Sequence, residues 1–172
     1  MHRASYGNGR SAALVAALLA LVGCDVGVGA GSGLKAQYFS ARDALDDGQY
    51  DRARREYLLL IEEAGPLAPR IELEYAHGEL RAGRFDEAAR IAAGLAARQA
   101  GEARGAALAV QGTAQHELGI RALADGDTAT GVAALQSGRP ALAEVLDHAS
   151  AVDPLGAMAG RLAAIDARLA RL

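Results

Sequence analysis

Few side chains in this 172-residue chain could carry chemistry, and the first candidate is a single cysteine. Cys24 is the only thiol, so no disulfide can close within the chain and any covalent role for sulfur falls to this position. The four histidines, His2, His77, His116 and His148, never stand at the i, i+4 spacing that sets two imidazoles on one helix face. One cysteine cannot assemble a zinc knuckle. No Gly-x-Ser-x-Gly elbow is present, and His116-Glu117 continues as Leu118-Gly119-Ile120 instead of reaching a second histidine. The acid pairs Asp46-Asp47 and Glu62-Glu63 read as solvated helix ends and faces. The expectation is a protein that is not an enzyme, with no catalytic residue, no metal and no cofactor.

Cys24 follows a stretch built for export. Arg3 and Arg10 form a positive segment without an acid, and residues 12–22 are an unbroken apolar run. At about 1.5 Å per residue that run covers roughly half of a bilayer core, so it reads as the apolar region of an export signal rather than a spanning helix. It ends in Leu21-Val22-Gly23-Cys24. These four residues resemble the lipobox of bacterial lipoprotein precursors. The resemblance implies cleavage between Gly23 and Cys24, the small Gly23 giving the signal peptidase access to the bond. It also implies that the Cys24 thiol takes a diacylglyceryl thioether and that its freed amine can be acylated. Several acyl chains anchor stably, because each buried CH₂ contributes about 0.8 kcal/mol. The expected location is the periplasmic face of a cell membrane. Asp25 hints at inner-membrane retention by enterobacteria-like sorting, and inner and outer membrane both stay open. The alternative is an ordinary signal peptide cut elsewhere, with Cys24 discarded or idle.

The formal net charge of −3 does not suit a nucleic-acid binder. Loss of residues 1–23 would remove Arg3 and Arg10 and no acid, leaving no electrostatic pull toward anionic lipid.

The elements that must position anything else are helices. Ala, Leu, Arg and Glu dominate, β-branched residues are sparse, and there are two Phe, five Tyr and no Trp. Residues 24–33 read as the lipidated cysteine and a Gly-rich tether, and residues 34–172 as one all-α domain. A phosphate loop would need a strand before the glycines and a Lys-Ser/Thr pair after them, and Leu34-Lys35-Ala36 offers none. The pattern predicts helices over 34–47, from about 50 to Gly65-Pro66, over 69–82, from 85 to about 101, and over 102–123. Ser137-Gly138-Arg139-Pro140 is expected to interrupt the next helix, with Pro140 opening a short one to about Ser150. Asp153 and Pro154 are expected to start the last helix, in which Leu155, Met158, Leu162, Ile165, Leu169 and Leu172 form a narrow seam. The seam is expected to cap the array; a self-associating coiled coil is the alternative.

Gly48-Gln49-Tyr50-Asp51-Arg52-Ala53 returns as Gly83-Arg84-Phe85-Asp86-Glu87-Ala88, 35 positions later. That period is close to the helix–turn–helix repeat of about 34 residues. Laid over residues 34–101, the chain resembles a degenerate tetratricopeptide array. The family's small residue falls on Ala41 and Ala76, its turn glycine on Gly48 and Gly83, its aromatic on Tyr50 and Phe85, and its packing alanine on Ala53 and Ala88. The later aromatic falls on Tyr57 but on Ala92 in the second copy. Leu60 and Leu95 stand where another small residue belongs, Pro66 lies near the closing proline, and Gln37 and Glu72 replace the expected bulky residue. A third copy, with Leu118-Gly119 and Gly126, has Thr128 and Gly131 in place of the aromatic and the alanine. A generic antiparallel bundle is the competing architecture.

The resemblance implies a helical-hairpin solenoid in which the first helix of each pair lines a concave groove for an extended peptide or a partner's helix. Carried onto this chain, the groove positions are Lys35, Tyr38, Arg42 and Asp46, then Arg70, Leu73, His77 and Arg81, then His116 and Ile120. The cations among them suit an acidic segment or a carboxylate terminus. The implied role is that of a lipid-anchored envelope scaffold, similar in arrangement to short tetratricopeptide lipoproteins of envelope assembly systems. The alternative is a structural lipoprotein that self-associates through its last helix.

Overall fold

Three turns built from the same hydrogen bonds organise the chain. The computed structural model describes residues 28–148 and 150–172. At the first turn Gly48 takes φ +73°, its N–H bonds to the Leu45 carbonyl at 3.1 Å, and the next N–H, on Gln49, reaches back to Ala44 at 2.8 Å. Gly83 repeats this at φ +73°, with bonds to Leu80 at 3.1 Å and from Arg84 to Glu79 at 2.9 Å. Gly126 repeats it again at φ +85°, with bonds to Leu123 at 3.2 Å and from Asp127 to Ala122 at 2.9 Å. Each is a Schellman cap, in which glycine alone takes the left-handed position without strain. The third unit, whose flanking residues depart from the repeat, therefore shares its turn.

The helices are α1 (Val28–Asp46), α2 (Tyr50–Glu63), α3 (Ala68–Arg81), α4 (Phe85–Arg98), α5 (Gly101–Ala124), α6 (Thr128–His148) and α7 (Ala157–Leu169). Short 3-10 turns at Gly65–Leu67 and Ser150–Val152 join α2 to α3 and α6 to α7. Among the described residues there is no strand, and the fold is all-α.

Cross-helix pairs give the directions. Arg42 and Asp46 on α1 meet Glu74 and Arg81 on α3, so these two helices run parallel, side by side. Thr113 and Glu117 on α5 meet Met158 and Arg161 on α7, again in parallel register. Gly112 faces Gly138 and Gly119 faces Gly131, so α5 and α6 are antiparallel. Each helix packs mainly on its chain neighbours; α3 also touches α5, and α5 touches α7.

The alanines at the repeat's small positions, Ala41, Ala53, Ala76 and Ala88, are all buried, which lets paired helices approach closely. Tyr57 is fully buried with them and Tyr50 packs against the same cluster. Phe85 does not follow Tyr50: it lies half-buried beneath the Arg121 guanidinium, 5.5 Å from the ring centroid, while Arg121 also donates to the Gly83 carbonyl at 3.1 Å.

Three boundaries differ from expectation. Helix α1 begins at Val28, inside the stretch expected as a tether. No proline interrupts that stretch, and extending a formed helix needs no new nucleus; each glycine costs only about 1 kcal/mol. Helix α6 runs unbroken through Ser137-Gly138-Arg139-Pro140. An interior proline costs about 3 kcal/mol. Burial of Leu135, Leu142 and Val145 outweighs it at about 1.5–3 kcal/mol per side chain. Pro140 and Gln136, whose carbonyl loses its partner, both face solvent.

The last helix starts at Ala157 rather than at Pro154, after Gly156 at φ +71°. Asp153 still caps it from outside, accepting the backbone N–H groups of Met158 and Ala159 at 3.0 Å each. Leu155 consequently leaves the seam and stands 94% exposed. The remaining seam, Met158, Leu162, Ile165 and Leu169, packs on Leu123, Leu135 and Leu142 of α5 and α6.

Candidate interaction face

Parallel alignment of α1 and α3 brings most of the expected groove residues of the first two units onto one face. Its centre is Glu74, which sequence reasoning missed. The Tyr38 hydroxyl donates to this carboxylate, lying 2.9 and 3.0 Å from its two oxygens, and Arg42 donates to it at 3.1 Å. Arg81 donates to Asp46 at 2.9 Å, and Arg42 also lies 4.0 Å from Asp46. Burial, followed by the bond to Glu74, raises the Tyr38 pKa above its ordinary value. The bond from Arg81 holds Asp46 below the usual carboxylate range. A signal for Glu74 did exist: it stands four residues after Arg70 on the same helical stripe, an acid among cations.

Lys35 and Arg70 are placed differently. Among the described residues neither has an ion-pair partner, although the Lys35 ammonium lies 5.8 Å from the Phe39 ring centroid. Together with Tyr38, Leu34, Leu67 and Ile71 they line an open cup of about 400 Å³. The cup joins two cations to an apolar wall, an arrangement that suits an anionic group carried on an apolar side chain or chain end.

His77 lines a second hollow of about 300 Å³ with Leu80 of α3, Val110 and Thr113 of α5, and Met158 and Arg161 of α7. His77 is itself exposed, and partial desolvation by the walls of the hollow, more than any single charge, lowers its pKa below the ordinary imidazole value. Arg42 and Arg81 push the same way, and Glu74 opposes them. Leu73 is half-buried and packs into the core beside Ala76 and Leu95, so it forms floor rather than rim. His116 lies beside Glu117, its Nδ1 3.4 Å from Oε1, and neither His116 nor the half-buried Ile120 lines either hollow. The structure thus gathers the expected groove positions of the first two units on one face, Leu73 excepted, and not those of the third.

Beneath the face, two buried polar groups were also missed. Glu79 is 1% exposed and is held by Arg84, with Arg54 at 3.8 Å, so its charge is paired inside the α2–α3–α4 junction. The Tyr57 hydroxyl has no hydrogen-bond partner among the described residues, and burial raises its pKa.

Gly23 and Cys24 lie outside the described residues. Among the described residues no helix is long and apolar enough to cross a membrane. No protein-family model matches this chain, and no curated protein or solved structure shows significant similarity to it.

Proposed function

We propose that the protein is a lipid-anchored envelope scaffold, held at the periplasmic face of a membrane through Cys24. Its stacked helix pairs, tetratricopeptide-like in plan, offer the α1–α3 face to an extended segment of a protein partner. The observation that carries this reading is the parallel alignment of α1 and α3, which collects Lys35, Tyr38, Arg42, Asp46, Arg70, His77 and Arg81 on one surface from two stretches of chain. The recurrent glycine caps support the stacked plan.

Within that face, preference for an acidic segment rests on Lys35 and Arg70. Arg42 and Arg81 already answer Glu74 and Asp46, so they brace the surface and leave less charge for a ligand. The alternative of self-association through the last helix is less favoured, because the seam of α7 is packed against α5 and α6 of its own chain.

The test is retention of the partner in membranes after Lys35→Glu together with Arg70→Glu, compared with Arg55→Glu on the exposed side of α2. Loss of the partner in the double variant alone supports the face; equal retention in all three proteins contradicts it. Fractionation of Cys24→Ser tests the anchor separately, since release of the protein from membranes is the expected outcome.

A further inference from the structure

Antiparallel alternation of the helices sorts the connections onto two ends. The start of α1 shares one end with the α2–α3, α4–α5 and α6–α7 connections, and the three Schellman turns occupy the other. Exposed leucines are concentrated on the first end. Leu67 in the α2–α3 connection is 55% exposed and Leu155 in the α6–α7 connection is 94% exposed. Leu58 and Leu59, at 44% and 60%, stand in the half of α2 that runs toward this end. Leu172, 63% exposed at the last residue, lies at the opposite end.

Cys24 stands four residues before Val28, the first residue of α1. Four residues span at most about 14 Å even when fully extended. A lipid on Cys24 would therefore hold this end, and not the Schellman-turn end, at the bilayer surface.

The geometry points to a membrane-seated end: the α1 start and the Leu67 and Leu155 connections rest on the bilayer, with both leucines dipping into its interface. This inference rests on the lipid-anchor reading. The partner is the apolar interface of the bilayer rather than its anionic headgroups, because the exposed Glu62, Glu63, Glu102 and Asp147 at the same end outnumber Lys35 and Arg70, unpaired among the described residues, beside Leu67. Seating this end would turn the α1–α3 face sideways, along the membrane, where a neighbouring envelope protein can reach it.

The test uses the full-length protein, processed in cells and reconstituted into phosphatidylcholine vesicles. Because Cys24 is the only cysteine, Leu67→Cys, Leu155→Cys and Asp125→Cys each add one labelling position for an environment-sensitive fluorophore. The expected result is a parent protein that floats with vesicles and resists maleimide. In the variants, the probes at 67 and 155 shift to shorter wavelength and are quenched by nitroxide-bearing lipid, while the probe at 125 is not. Flotation with all three probes unquenched overturns the seated end and leaves the anchor standing. A parent that does not float and whose Cys24 reacts with maleimide overturns the anchor reading and this inference together.

Discussion

Gly112 on α5 and Gly138 on α6 stand backbone to backbone. A Cβ added to Gly112 would lie 3.3 Å from the Gly138 carbonyl oxygen, and one added to Gly138 would lie 3.2 Å from that of Gly112. Gly119 and Gly131 repeat the arrangement along the same pair at 3.1 and 3.2 Å. Leucines fill the spaces: a Cβ on Gly112 would meet Leu142 Cγ at 2.6 Å. The longest helix pair is thus held by missing side chains rather than by large ones. Gly112→Ala is expected to destabilise the fold by about 1–3 kcal/mol through overpacking. Gly160→Ala on α7, where an added Cβ meets nothing within 4 Å, should stabilise by up to about 1 kcal/mol. Urea midpoints followed by circular dichroism check both signs.

Pro140 lies inside α6 with its ring toward solvent. Pro140→Ala restores the bond to the Gln136 carbonyl and removes the clash there. The expected gain is up to about 3 kcal/mol, with no change in the far-ultraviolet spectrum beyond slightly deeper helical bands. A loss of stability would show that α6 bends at Pro140 to fit α5.

The pattern along these helices was only partly legible in the sequence. The first two turns and four helices could be read from the return of Gly-x-aromatic-x-x-Ala, since that signal is local. Gly138 could not be read correctly, because a glycine that ends a helix and one that admits a neighbouring backbone look identical until the neighbour is known. Gly138 beside Pro140 resembled a break, and its true partner, Gly112, lies on another helix. Leu155 kept the spacing of the last seam, but Asp153 caps across Pro154-Leu155-Gly156 and turns that leucine outward. Glu74 escaped for a similar reason, since its roles with Tyr38 and Arg42 exist only once α1 and α3 lie side by side.

Arg42 and Glu74 brace α1 against α3, and both are partly solvated. A double-mutant cycle on Arg42→Ala and Glu74→Ala should give a coupling of about 0.5–1 kcal/mol, reduced at high salt. Zero coupling would mean that the pair does not set the spacing of the face.

His77 gives the face a pH dependence with a defined sign. Partial desolvation lowers its folded pKa from 6.5, so the unfolded chain takes up the proton first as the solution is acidified, and solvent at the exposed ring keeps the effect small. The stability this group contributes is present above pH 6.5 and is lost as the pH falls through that value toward the folded pKa. His77→Gln should therefore lose less stability across pH 6.5 than the parent protein, as read from urea midpoints on either side of it.

Site-specific photo-crosslinking in intact cells shows whether the α1–α3 face holds a partner. A photoreactive residue at Arg70, in the cup of the α1–α3 face, is compared with one at Arg55 on the exposed side of α2. A partner held in the cup gives a discrete crosslinked species in the membrane fraction from position 70, absent from position 55 and weakened by Lys35→Glu. Crosslinking from position 55 alone, or equally from both, would contradict it.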